Sequence, residues 1–204
     1  MNKSELLKTI SGALNKGKVS ELSCQAADGG ISAADLLDLT FYPRQEVAFR
    51  AAWILDCLVL TYPECFAPLV SRFLERYSDQ SNRSCQRHFT KIMMCLTASK
   101  CPDKFQIPVG YNQESIIEST FEWLIDPATP VAVRVNSMDI LFNLSYTTPW
   151  IAAELALQVD FLLQSGGAAV QSRGKAIAKK LMKREQSERP ALQHPYNGLN
   201  CDRD

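Results

Sequence analysis

The chain has 204 residues, 46% of them hydrophobic, which is enough to bury the core of one globular domain. Lys plus Arg and Asp plus Glu each number 22, so no overall charge would hold the chain on nucleic acid or on an acidic membrane. No apolar run approaches the roughly 20 residues that span a bilayer. The seven cysteines include no C-x-x-C pair and follow no secretory signal. These features predict a cytoplasmic protein with free thiols and no membrane partner.

Metal and cofactor sites are not predicted. The two histidines, His88 and His194, are far apart in sequence, and the cysteines do not cluster at zinc-ligand spacings. The chain also offers no phosphate-binding loop and no arrangement of a nucleophile with a base. We therefore expect no metal, no cofactor and no enzymatic activity.

Helical periodicity runs through most of the chain. Apolar residues recur three and four positions apart, Ser4 and Ser32 can cap helices, and Gly29-Gly30 and Pro43 are typical helix ends. No segment shows the sustained alternation of a β-strand. The predicted helices span residues 4–14, 19–27, 32–39, 47–60, 66–77, 85–96, 113–125, 131–144, 149–166 and 169–183.

Proline and glycine mark the connections between these helices. The segment 99–112, with Pro102, Pro108 and Gly110, is the longest connector. After the last helix, residues 187–204 contain two prolines and no periodic apolar face. The sequence therefore predicts one helical domain over residues 1–186 and a mobile C-terminal tail over residues 187–204 that adds little to the core.

A repeated arginine indicates that the helices are arranged in pairs. Arg50, Arg87, Arg134 and Arg173 each fall near the start of the second helix of a predicted pair, and successive arginines are roughly 40 residues apart. A repeat of two antiparallel helices with this period is typical of HEAT or armadillo-like solenoids, in which stacked pairs share one core. We therefore predict an all-α fold, an α-α superhelix of four to five antiparallel helix pairs.

Two of these arginines follow an aspartate by eight residues. Asp79 precedes Arg87, and Asp126 precedes Arg134 at the Pro127 corner. In a solenoid, such an aspartate and arginine can bond helices to one another across a repeat. We therefore predict structural roles for these four side chains.

Four segments resemble a known family. R-A-A-W-I-L-D-C, F-E-W-L-I-D, S-M-D-I-L-F-N-L and K-A-I-A-K-K-L resemble segments of small bacterial HEAT-like helical repeat proteins, common among Bacteroidetes, that have often carried the label adenylosuccinate lyase. The resemblance covers residues 31–183 and rests on packing motifs. It implies an α-α superhelix and says almost nothing about activity.

The chemistry of a lyase does not fit this chain. Adenylosuccinate lyases are more than twice as long, share each active site among three subunits and use a mobile S-S-x-M-P-x-K-x-N loop, which has no counterpart here. Elimination also needs a positioned acid and base. We therefore do not expect lyase activity.

Three polar arcs are candidate binding surfaces for a partner or ligand. On a helical wheel, Arg50, Trp53, Asp56 and Cys57 share an arc of about 120°, which is either an aromatic platform between charges or ordinary packing. Ser84, His88 and Lys91 form a similar arc, in which His88 is more typical of a surface residue than of a catalytic base. Asn136, Asp139 and Asn143 share a narrow arc on an apolar helix, and line a groove or form a solvated face. For the first and third arcs we favour the packing and solvated interpretations, respectively.

Two functional hypotheses remain. The first is a non-enzymatic interaction module that binds a protein or peptide on its inner face. The second is a HEAT-like DNA-binding protein of the alkylated-base glycosylase type, with Trp53 and Asp56 holding a nucleotide. Zero net charge and the gathering of basic residues in the last helix, from Arg173 to Arg184, argue against nucleic acid. We therefore expect a protein or peptide partner.

Overall fold

The computed structural model describes residues 1–102 and 107–188, and within them it contains ten α-helices and no β-strand. The predicted all-α fold is confirmed. The predicted tail lies outside the described residues, apart from its first two positions. The helices are α1 (Lys3–Ser11), α2 (Lys16–Ala27), α3 (Ala33–Leu39), α4 (Gln45–Thr61), α5 (Val70–Tyr77), α6 (Arg83–Thr97), α7 (Glu114–Ile125), α8 (Val131–Leu144), α9 (Trp150–Ser165) and α10 (Ala168–Glu188).

Local chemistry sets the helix ends. Asn2, rather than the predicted Ser4, caps α1: its side chain accepts from the backbone N–H of Glu5, and the Glu5 carboxylate accepts from the Asn2 backbone in return. Ser32 caps α3 as predicted. The helix expected over 66–77 starts later, because Pro68 lies in a short 3₁₀ turn and regular α-helix begins only at Val70.

The helices form two rows. Each of the pairs α3/α4, α5/α6, α7/α8 and α9/α10 gives one helix to each row, and α1 and α2 precede them and pack against α4. The second helices α2, α4, α6, α8 and α10 pack closely on one another in order, whereas successive first helices lie farther apart. This difference curves the stack into an α-α superhelix, with the second helices on its inner side.

Aromatic side chains fill the centre of the stack. Phe73 of α5 packs on Phe89 of α6 with ring centroids 5.0 Å apart, and Tyr77 packs on Trp123 of α7 at 4.8 Å. Phe73, Tyr77 and Phe89 are fully buried, and burial raises the pKa of the Tyr77 hydroxyl. This packing ties three consecutive elements into one continuous core.

Among the residues that the structure describes, no single helix is long and apolar enough to cross a membrane. The segments Gln45–Thr61 and Pro63–Tyr77 are long and apolar enough only when taken together, and the chain bends by 120° between them.

Candidate functional site on the second helices

A buried carboxylate joins α4 to α6. Asp56 is 2% exposed, and its Oδ2 lies 2.9 Å from Nδ1 of His88 and within hydrogen-bond distance of Nζ of Lys91. His88 is 6% exposed, so the expectation of a surface histidine is wrong. Two separate polar arcs of the sequence therefore meet in one cluster between neighbouring repeats.

The hydrogen-bonding capacity of this cluster is only partly used. Within the described residues, Oδ1 of Asp56 and Nε2 of His88 are buried and have no hydrogen-bond partner. Burial, followed by the nearby Asp56 carboxylate, raises the pKa of the Cys95 thiol, while Lys91 acts in the opposite sense. The cluster is a charged group held in an apolar layer, an arrangement whose desolvation cost offsets much of its Coulombic gain.

The aromatic and basic neighbours of Asp56 have different roles. The Phe49 ring lies 5.4 Å from the His88 ring and 6.0 Å from the Trp53 ring. Trp53 lies at the edge of this aromatic group and is half-buried. Arg50 donates to the backbone oxygens of Ile10 and Ser11, at 3.1 Å each. A cation at the C-terminal end of α1 is favoured by the helix dipole. Arg50 therefore fastens α1 to α4, and Trp53 does not form an open platform beside a free acid.

Neutral polar contacts join α6 to α8. Asn136 donates from Nδ2 to the Thr90 hydroxyl at 3.0 Å, and Asn143 donates to the Thr97 hydroxyl at 3.2 Å. Both contacts join residues 46 positions apart in the chain, so they connect equivalent positions of two neighbouring repeats. Each amide keeps an oxygen and one N–H for another partner.

A pocket of about 420 Å³ opens beside the contact between Asn143 and Thr97. It lies where the C-terminal ends of α6 and α8 meet α10. Thr97, Asn143, Phe142, Tyr146 and Lys180 contribute to its lining. Polar and aromatic groups on the inner row thus border a recess that a side chain of a partner can enter.

A second carboxylate joins α8 to α10. Asp139 is 7% exposed; its Oδ2 accepts from Arg173 at 2.8 Å, and its Oδ1 lies 3.6 Å from Nζ of Lys180. Nearby, Arg184 donates to the Ser145 hydroxyl and lies over the Tyr146 ring. The polar arc of Asn136, Asp139 and Asn143 therefore reaches neighbours on both sides of α8 and is not simply a solvated face.

The expected bond between Asp126 and Arg134 is not formed. Arg134 donates from Nε to the backbone oxygen of Leu124 at 3.0 Å, in the last turn of α7. Asp126 instead accepts from Arg83 at 3.2 Å and from the backbone N–H of Ala128 in the corner that follows. Both side chains join elements, but they do so with other partners, because the Asp126 carboxylate is used by its own turn.

The expected bond between Asp79 and Arg87 is also not formed. Asp79 is exposed and pairs with Arg76, three residues earlier, at 3.1 Å. The Arg87 side chain is exposed and forms no hydrogen bond or ion pair with the described residues. The predicted bond is therefore absent, because both side chains point to solvent.

Charge is divided between the two rows, although the chain as a whole is neutral. The second helices carry thirteen Lys and Arg against six Asp and Glu, whereas the first helices α1, α3, α5, α7 and α9 carry four against nine. Moreover, Asp56 and Asp139 of the second helices are buried. The inner row is therefore basic and the outer row acidic.

A group of exposed positive charges lies on α10. Lys175, Lys179 and Lys183 follow one another at intervals of four residues, all three are exposed, and none forms an ion pair with the described residues. The core residues Val170 and Ile177 lie on the opposite side of the helix. The three lysines form a ridge, the α10 lysine ridge, that projects from the inner row into solvent.

Part of this site was not predicted from the sequence. Thr90 and Thr97 were missed as partners of the asparagines, and Lys180 as a partner of Asp139. The common spacing of 46 residues, close to the spacing between Arg87 and Arg134, is the signal that aligned repeats offered for the two threonines. Among the described residues, no group of three His, Cys, Asp or Glu side chains could hold a metal ion.

Comparison with known proteins identifies the family of this chain. No curated protein and no solved structure matches it. A family profile described as a HEAT repeat domain matches residues 6–181, which extend from α1 into the last helix. This match agrees with the stacked helix pairs and the inner row of second helices, and the chain belongs to the HEAT repeat domain family.

Proposed function

We propose that this protein is a non-enzymatic interaction module whose inner row of second helices binds an acidic, extended segment of another protein. The observation that carries this proposal is the separation of charge, with thirteen basic and six acidic residues on the second helices and the reverse bias on the first helices. A basic inner surface attracts acidic segments and repels basic ones.

Amide side chains on α8 support an extended partner. Asn136 and Asn143 are seven residues apart, which is about 10.5 Å along a helix. Three residues of an extended chain cover roughly the same distance, at about 3.3 Å each. The free oxygen and N–H of each amide can therefore pair with backbone groups of one peptide, and the pocket beside Asn143 can receive one of its side chains.

Several contacts favour a protein over a nucleic acid. Nucleic-acid binding depends on cations that are free to neutralise phosphates. Here Arg50 is bonded to backbone oxygens, Lys91 to Asp56, and Arg173 and Lys180 to Asp139. The free cations are therefore concentrated in the α10 lysine ridge, which suits a short acidic segment, and do not line the whole row as a long phosphate backbone requires. Asp56 is buried beneath these contacts, so a nucleotide stacked on Trp53 would not reach its carboxylate. This arrangement does not support the glycosylase-type alternative.

Peptide binding is tested with labelled probes. Fluorescence anisotropy of the full chain is measured with a Glu-rich peptide, a Lys-rich peptide of equal length and a 20-base-pair DNA duplex. We expect saturable binding of the Glu-rich peptide alone, weakening as salt is raised. Tight binding of the duplex, with a steep salt dependence, would replace this proposal with the nucleic-acid alternative.

A matched pair of charge reversals locates the binding surface. Lys179→Glu changes the centre of the α10 lysine ridge, and Lys8→Glu makes the same change on α1, in the outer row. Both lysines are exposed, so neither change is expected to disturb folding. The Lys179 variant should weaken peptide binding by about threefold or more. Equal effects of the two variants would show that net charge, and not the inner row, governs binding.

A further inference from the structure

The outer side of α9 carries a stripe of large apolar side chains. Trp150, Leu157 and Phe161 are 57%, 65% and 64% exposed. Because seven and then four residues separate them, they project within about 40° of one another on the helix. The buried residues of α9 lie on a different side, which faces the core, and are Ile151, Leu155, Val159 and Leu162. Helix α9 therefore has a second apolar side that is open to solvent.

Helix α7 extends this stripe. The Phe121 ring stacks on the Trp150 ring, with centroids 6.1 Å apart and an interplanar angle of 19°. Ile125, one turn after Phe121, is 51% exposed. Single exposed apolar residues are common on proteins, but a contiguous group of large ones is typical of an interaction site. We call this group the α7/α9 apolar face, and its members are Phe121, Ile125, Trp150, Leu157 and Phe161.

The charged residues beside this face are all acidic. Three glutamates on α7, with Glu154 and Asp160 on α9, are the only charged residues of these two helices. Glu118 and Glu122 of α7 are exposed and form no ion pair with the described residues. Glu154 follows Trp150 by one turn and accepts from the neutral Gln158 amide at 2.7 Å. The α7/α9 apolar face is therefore bordered by carboxylates that lack a cation among the described residues.

The shape and charge of this surface fit one kind of partner. The stripe from Trp150 to Phe161 is about 16 Å long, which is three turns of a helix. An amphipathic helix of this length or more can lay its apolar side on such a stripe. Lys and Arg at its flanking positions would meet the carboxylates and the aromatic rings, whereas Asp and Glu would be repelled. The same carboxylates repel anionic lipid headgroups, which disfavours a membrane surface.

We propose that the α7/α9 apolar face binds a basic amphipathic helix of another protein. This surface belongs to the outer row and selects the charge opposite to that selected by the inner row. The protein can therefore hold a basic and an acidic segment at the same time, and neither binding event depends on the other. A second copy of the chain and a neutral apolar helix are the competing occupants.

Three labelled peptides of about 18 residues test the kind of partner. The first is built from Leu and Lys, with Leu at helical spacing; the second has the same residues in scrambled order; the third has Gln in place of Lys. By fluorescence anisotropy on the full chain, we expect the first peptide to bind about tenfold or more tighter than the scrambled one and several-fold tighter than the Gln peptide. Equal binding of the scrambled peptide, equal binding of the Gln peptide, or no binding of the first peptide overturns the proposal.

A matched pair of variants locates the binding surface. Leu157→Ser/Phe161→Ser should weaken binding of the Leu/Lys peptide by about tenfold or more. The control, Leu60→Ser/Met182→Ser, changes two apolar residues that are 51% and 56% exposed on inner-row helices, and it should leave binding unchanged. Because all four side chains are exposed, both variants should keep the helical circular dichroism of the unchanged protein. Equal losses in the two variants would place the binding elsewhere and overturn the proposal.

Two further measurements separate the remaining explanations. Binding of the Glu-rich peptide should be the same in Leu157→Ser/Phe161→Ser as in the unchanged protein, so a failure at the outer face is distinguished from a failure at the inner row. Sedimentation tests self-association. A dimer of the unchanged protein that becomes a monomer in this variant would identify a second copy as the occupant and overturn the proposal, whereas a monomer in both leaves the face to the basic helix.

Discussion

Two contacts between second helices each hold a buried carboxylate, but the partners of the two carboxylates differ in exposure. At α4–α6, Asp56 is bonded to His88 and Lys91; at α8–α10, Asp139 is bonded to Arg173 and Lys180. In the first contact, one of the two cation-forming side chains, His88, is itself buried. In the second, both cationic side chains are more than 40% exposed. Water can therefore replace the carboxylate at α8–α10 but not at α4–α6.

Because of this difference, a contact can determine which repeats pack together without adding to the net stability of the fold. A buried charge that loses its partner is costly, although replacing the whole group by apolar residues is often neutral or favourable. The α4–α6 cluster also leaves two buried polar atoms without partners among the described residues, so it is a poor source of net stability. We expect it to define which repeat packs on which, and the α8–α10 contact to be a tolerant surface pair.

The largest effect should come from Asp56→Ala. This change leaves His88 buried without its acceptor and removes the anion beside Lys91. We expect the free energy of unfolding to fall by about 3 kcal/mol or more. Urea denaturation followed by circular dichroism measures this loss.

The triple variant Asp56→Leu/His88→Leu/Lys91→Met sharpens this test. It removes the entire polar group, so its stability should lie close to that of the unchanged protein, and well above that of Asp56→Ala. A triple variant as unstable as the single one would mean that the cluster stabilises the fold outright, and the contrast between the two contacts would disappear.

Asp139→Ala should have a smaller effect. Arg173 and Lys180 are exposed enough to recover hydration when the carboxylate is lost. We expect a loss of about 1 to 2 kcal/mol, measured in the same denaturation experiment. A loss equal to that of Asp56→Ala would show that the exposure of the cationic partners does not control the cost.

Arg134→Ala tests a contact that joins two helices of one pair. Its guanidinium satisfies a backbone oxygen in the last turn of α7, which has no partner within the helix. Because the side chain is only half-buried, water can reach the freed oxygen. We expect a loss of about 1 kcal/mol in urea denaturation, and no detectable change would show that solvent satisfies this oxygen equally well.

The repeat could be predicted from the sequence because it rests on periodic features. Arginines roughly 40 residues apart and apolar positions at helical spacing are properties of the chain order. The partner of each arginine is not such a property. Arg50 and Arg134 bind backbone oxygens, Arg173 binds Asp139, and Arg87 binds none of the described residues.

Burial of the site residues was harder to predict. His88 and Lys91 lie three positions apart on α6, yet His88 is 6% exposed and the Lys91 side chain 39% exposed, because α4 covers only one side of their arc. A helical wheel gives the direction of a side chain but not the distance to the neighbouring helix. Charge separation between the rows was missed for a related reason, since net charge sums over both rows.

The smallest effect should come from Arg87→Ala, and it tests whether the repeated arginine position is itself structural. Arg87 occupies the same place on α6 as Arg134 on α8, but its side chain lies in solvent without a partner among the described residues. Its removal exposes no unsatisfied group, and alanine has a slightly higher helix propensity, so stability should change by less than about 0.5 kcal/mol. Denaturation curves of Arg87→Ala and Arg134→Ala, recorded together, show whether the repeated position or the bond to Leu124 determines the loss of stability. If both variants lost the same amount, the position would be important for a reason other than the bond to Leu124, such as an effect of the arginine on the unfolded chain.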